Sequence, residues 1–99
     1  MKNTFKPGDK IRFAEEKQAY TVIVSNDRYA VCTKPFNLQK TLLYCIVDFV
    51  DKIRGPNNLV MNSYRYETLE GCEQTLIDVT SGKIEISQRH RAKLNIKFS

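Results

Sequence analysis

Between Leu42 and Val50 the chain carries nine residues with one charge, Asp48, and apolar side chains at both odd and even positions. Successive side chains of a strand point to opposite faces. Leu43, Cys45, Val47 and Phe49 therefore point one way, and Leu42, Tyr44, Ile46 and Val50 the other. A strand apolar on both sides is normally covered on both sides. The rest of a 99-residue chain must supply that cover, and a chain this short builds one core, not two. The expectation is a β-layer beneath this segment and a helix pressed on top of it.

Other strands read from alternation and turn chemistry. Pro7-Gly8-Asp9 is a turn, after which Ile11 and Phe13 share one face and Lys10 and Arg12 the other. Glu15-Glu16-Lys17 reads as a loop. Tyr20 to Val24 is dense in β-branched residues and is the clearest strand. Ser25-Asn26-Asp27-Arg28 turns it back into Tyr29 to Thr33, so these two form a hairpin. Pro35 cannot donate to a ladder, and the third strand is expected to stop there. Arg54-Gly55-Pro56-Asn57-Asn58 is a strong turn, after which Leu59-Val60-Met61 is expected as a short fifth strand.

One helix is predicted, from about Leu69 to Thr80. Thr68 is suited to cap its start, Glu70 lies in the first turn where the helix dipole favours an anion, and Gly82 stands where a C-terminal cap belongs. Leu69, Cys72, Leu76 and Val79 recur at spacings of three, four and three and form the predicted buried stripe, with Glu73, Gln74 and Asp78 on other faces. Gly71 inside the helix costs about 1 kcal/mol against Ala, so packing must stabilise it. Two short strands follow, one around Ile84 and Ile86 and one around Leu94, Ile96 and Phe98, joined by a basic loop.

The short first strand after Pro-Gly-Asp, the charged loop, the hairpin and two further strands give Phe5 to Met61 a resemblance to SH3-like barrels of the Tudor-like kind. The implied class is α+β and β-rich: one domain with a small SH3-like β-barrel of about five strands (residues 5–61), an α-helix (69–80) and two short C-terminal strands (84–98). The chain also resembles a group of small uncharacterised phage and prophage proteins. The residues that carry this likeness are Lys6-Pro7-Gly8-Asp9, the run Asp27 to Asn37, Tyr44 to Phe49, Arg54-Gly55 with Asn58, and Tyr66-Glu67-Thr68. This resemblance implies an origin in a mobile element and brings no activity with it.

Composition narrows the function classes. Apolar residues make up 41% and charged residues 27%, usual for a folded domain. The charged residues Lys2, Lys6, Asp9 and Lys10 leave no signal-peptide core in the first ten positions, and the longest apolar run is far below the roughly 20 residues that span a bilayer. A cytosolic location without membrane contact is expected. Cys32, Cys45 and Cys72 match neither a disulfide framework nor a zinc pattern, and read as small buried hydrophobes in a reducing compartment. One histidine, His90, supports no triad or metal site; no cofactor is expected, and none of the glycines forms a phosphate-cradling loop.

The net charge of +5 is uneven: residues 83–99 hold five cations and one anion. Such a tail marks either a surface for nucleic acid or an acidic protein, or an edge strand protected by cations. Asp48, inside an apolar strand, needs a partner, which Arg28 or Arg54 is placed to supply. Tyr29 and Phe36 near Lys34 would form an aromatic and basic patch; the alternative is that they are core. These readings support a non-enzymatic module that docks on a host or phage protein. The alternative is a DNA- or RNA-binding module using Lys34, Arg54, Arg89, Arg91 and Lys93 on phosphates.

Overall fold

The computed structural model describes residues 5–13, 17–36, 41–50, 53–54, 66–86 and 94–95. Six strands and one helix follow in chain order: β1 (Lys10–Phe13), β2 (Tyr20–Ser25), β3 (Tyr29–Phe36), β4 (Thr41–Asp48), β5 (Ile53–Arg54), α1 (Leu69–Thr80) and β6 (Leu94–Asn95). The strands pair antiparallel in the order β5-β4-β3-β2-β1-β6. The fold is α+β and β-rich. Among the described residues no helix is long and apolar enough to cross a membrane.

Turn chemistry sets the entry to β1. Asp9 N donates to Lys6 O at 3.0 Å, closing a turn with Pro7 and Gly8 at its centre. Gly8 has φ +94°, a value that side-chain-bearing residues avoid and that a type II turn requires at this position. The turn is sewn to β2 by Gly8 N to Val22 O and Val22 N to Asp9 O, both 2.8 Å. At the β2–β3 turn, Asn26 Oδ1 accepts from the backbone N–H groups of Arg28 and Tyr29 at 2.9 and 2.8 Å. The asparagine thus satisfies two donors that the tight turn removes from the ladder.

Each face of the sheet carries a buried cluster. On one face Ile11, Tyr20, Val22, Ala30, Cys32, Cys45 and Val47 form a closed cluster, against which Phe5 and Phe49 pack. Phe5 and Phe49 stack at 4.5 Å between ring centroids. On the other face Val31 and Tyr44 meet Tyr66 and Cys72, with Ile23, Val24 and Leu76 at the margin. A bulge in β2 between Val22 and Val24 breaks the alternation there. It allows the adjacent Ile23 and Val24 both to pack on the helix side.

Several boundaries differ from the sequence reading. β3 continues through Pro35, which lies opposite Leu42 in β4. The ladder between β2 and β3 ends at Thr33, so Pro35 sits where β3 has a neighbour on one side only, and there a missing N–H is tolerated. β4 stops at Asp48 instead of Val50, because Asp48 Oδ1 accepts from Val50 N at 3.0 Å and folds the chain into a turn. Val50 is consequently 62% exposed. Arg54 lies in β5 opposite Val47, not in a turn. Ile84 to Ile86 form no strand. Their start is tied to the helix end, where Lys83 N and Ile84 N both donate to Asp78 O. The expected strand at Leu59–Met61 lies outside the described residues, as do Ile96 and Phe98.

The expected seat of the helix on Leu42–Val50 is corrected: Leu42 is 43% exposed, and α1 packs chiefly over β2 and β3, reaching β4 through Tyr44. Thr68 caps its start by accepting from Gly71 N at 3.0 Å. At its end Gly82, at φ +84°, donates to Val79 O while Lys83 N reaches Asp78 O at 2.8 Å. This pair of bonds is the Schellman arrangement. The buried residues of α1 are Cys72, Thr75, Asp78 and Val79. The predicted stripe is therefore corrected on two counts: Leu69 is exposed, and Asp78 is inside. Within the helix Thr75 Oγ1 donates to Gly71 O at 2.9 Å, and Asp78 Oδ1 accepts from Gln74 Nε2 at 3.0 Å.

Candidate functional site

Asp48 ends β4 and lies opposite Tyr29, the first residue of β3. Arg28, in the preceding turn, reaches across with both arms of its guanidinium: Nε to Oδ1 at 3.1 Å and Nη2 to Oδ2 at 2.9 Å. The carboxylate side chain is 4% exposed and the arginine 44%. Arg28 also lies over the Tyr29 ring, 5.1 Å from its centroid. With Val50 N as a further donor, the carboxylate is committed to holding the strand end, and this corner reads as structural.

The residues expected to make an aromatic and basic patch are not gathered into one. Tyr29 and Lys34 stand five positions apart on β3 and so face opposite sides of the sheet. Lys34 Nζ lies 4.8 Å from the centre of the Tyr20 ring, on the face of the first cluster. Both cations are thus spread over tyrosine rings of their own face. The side chains of Phe36 and Arg54, and Arg89, His90, Arg91 and Lys93 entirely, lie outside the described residues. Among the described residues no group of three His, Cys, Asp or Glu side chains is placed to hold a metal ion.

A different surface emerges on the outer side of α1. Leu69 and Ile77, two turns apart on one face, are each 59% exposed. Glu70 and Glu73 are exposed beside them, and Glu67 is exposed just before the helix. Residues 66–81 contain four anions and no lysine or arginine, so the remaining 83 residues carry +9. The outer helix face is thus an apolar and acidic strip on a strongly basic chain. Its orientation is held by Asn26 Nδ2, which donates to Thr80 Oγ1 at 2.8 Å and ties the helix end to the β2–β3 turn.

Sequence reasoning assigned Leu69 to the core and gave Ile77 no role. The signal that would have found this face is the charge segregation: a helix without cations in a chain with sixteen of them.

The three cysteines are free and buried. Burial first, and then a hydrogen bond from or to Cys45, push the Cys32 thiol well above its ordinary value. Burial, and next the charge of Glu73, raise the Cys72 thiol. Both shifts disfavour the thiolate form of Cys32 and of Cys72. No protein-family model, no curated protein and no solved structure matches this chain.

Proposed function

We propose that the chain is a non-enzymatic docking module that binds a protein through the outer face of α1. The observation that carries this reading is the pair Leu69 and Ile77, exposed in an acidic strip that lacks any cation. Large aliphatic side chains left in water at the centre of a charged rim are the usual anatomy of a contact surface. The acidic rim selects the occupant: a protein segment with apolar side chains flanked by lysine or arginine. On the further proposal that the chain originates in a phage or prophage, the partner to look for is a host or phage protein.

The finer architecture belongs to the same reading. We take the sheet as the larger part of an SH3-like barrel of about five strands. Support comes from the buried cluster on the face opposite the helix, and from the Phe5–Phe49 stack against it.

The test is an affinity capture from a bacterial host lysate, run with and without nuclease, comparing the wild type with a Leu69→Ser/Ile77→Ser double variant. The expected result is a protein held by the wild type, lost with the variant, and displaced by salt. Equal capture by both removes the helix face as the site. Capture that vanishes on nuclease treatment replaces this reading with nucleic-acid binding, which the cations of residues 83–99 would serve.

A further inference from the structure

Cys32 and Cys45 are direct partners across β3 and β4 in an uninterrupted antiparallel register. They share one face and one closed cluster, at 0% and 1% exposure. Directly opposed residues in antiparallel strands have Cα atoms about 4.5 or about 5.5 Å apart, depending on the ladder position. A disulfide accepts Cα separations of about 4.4 to 6.8 Å, so either position permits the bond. The Cβ atoms of such a pair sit about 4.5–5.5 Å apart, slightly beyond what a relaxed disulfide prefers. The bond that forms is therefore strained and readily reduced.

We propose that Cys32 and Cys45 form a dithiol modification site that hydrogen peroxide converts reversibly to a cross-strand disulfide. One thiolate attacks the peroxide O–O bond, forming an S–O bond and expelling hydroxide. The second sulfur then attacks that sulfenic sulfur, the S–S bond forms, and the S–O bond breaks to release water. Two thiols and one peroxide become one disulfide and two waters; the sulfurs give up two electrons and the peroxide accepts them. The site selects a small oxidant because the cluster around both sulfurs is closed. A bulky disulfide such as oxidised glutathione reaches them only when β3 and β4 separate. The high proton affinity of the buried Cys32 thiol makes the reaction slow. Cys72 lies on the opposite face, its sulfur 3.9 Å from Tyr66 O, and supplies an internal control.

The test treats the folded full chain with hydrogen peroxide, alkylates remaining thiols under denaturing conditions, and maps unreduced peptides by mass spectrometry. The expected product is a Cys32–Cys45 cross-linked peptide with Cys72 alkylated. Dithiothreitol should restore all three thiols, and the oxidised protein should unfold at higher urea than the reduced one. Oxidised glutathione should give the cross-link many-fold more slowly than peroxide. Quantitative alkylation of Cys32 and Cys45 after peroxide, sulfinic acid at either without a cross-link, or Cys72-linked dimers as the main product would each overturn the proposal. A Cys72→Ala variant separates the last outcome from sample handling, because it leaves the predicted pair intact.

Discussion

The Asp48 carboxylate and the Arg28 guanidinium meet through two hydrogen bonds, of 3.1 and 2.9 Å, although only the arginine reaches water. The pair closes the end of the sheet where β4 turns out of the ladder, and Phe49 N donates to Arg28 O at 2.9 Å beside it. Its energetics are asymmetric, because one charge is solvated and the other is not.

Substitutions at this corner should show that asymmetry. Arg28→Ala should destabilise by about 1–2 kcal/mol, less than for a fully buried pair, since solvent screens the half-exposed cation. Asp48→Ala also removes the acceptor for Val50 N and should cost about 2–3 kcal/mol. The double variant should resemble Asp48→Ala alone, because the two residues share one interaction. Arg28→Lys should recover only part of the loss, lacking the two-pronged geometry. Urea midpoints of the four proteins check this; additive single effects would contradict it.

The two positive-φ glycines should behave alike for one reason. A Cβ added at Gly8 or at Gly82 meets nothing within 4 Å. The cost of Gly8→Ala or Gly82→Ala is therefore conformational, about 1 kcal/mol each. Gly82→Asn should cost less than Gly82→Ala, because asparagine tolerates the left-handed region at a helix end. Thermal unfolding of the three variants distinguishes this from a steric cause, under which asparagine would be the worse substitution.

Two isoleucines separate stability from docking. Ile46 is 1% exposed in the centre of β4, and Ile77 is 59% exposed on α1. Ile46→Ala should cost about 2–5 kcal/mol through lost burial and the cavity left behind. Ile77→Ala should change stability by no more than about 0.5 kcal/mol while weakening capture of the partner. Chemical denaturation and the capture assay on the same two variants give the comparison; a large stability loss from Ile77→Ala would mean that its face is occupied within the fold.

Alkaline pH should weaken the fold. Burial raises Cys32, Cys72 and Tyr44 above their ordinary values, with the Cys72 and Glu67 charges adding to the rise at Tyr44 and a Thr33 hydrogen bond opposing it. All three are neutral when protonated. Above the ordinary cysteine value of 9.0 the unfolded chain releases protons that the folded chain still holds. Stability is therefore complete below that pH and falls as pH rises toward the folded-state values. Urea midpoints from about pH 8 to about pH 10.5 should decline, and Cys32→Ala should make the decline shallower. A flat profile would show that the thiols remain solvated.

Local rules made much of the architecture legible. Thr68 and Gly82 mark the two ends of α1 because capping is a matter of adjacent residues. Pro7-Gly8-Asp9 and Asn26 announce their turns for the same reason, and the double-sided apolar run of β4 announces a covered strand. The carboxylate in that run called for a cation, and Arg28 stands beside it. Less was legible where two distant segments had to meet. Leu69 has the spacing of a core residue, yet the helix is rolled so that Thr75 and Asp78 point inward, a choice that depends on how α1 lies over β2 and β3.

The pairing of Cys32 with Cys45 shows the same division. By itself the sequence determined that each cysteine lies in an apolar strand, since alternation and β-propensity act within a few residues. Only the tertiary structure decided that they stand opposite each other, because register is a property of how β3 and β4 pair, and a shift of one position would send every β4 side chain to the other face. The outward face of α1 was likewise settled by packing: burial is a property of neighbours, and a helix read alone has none.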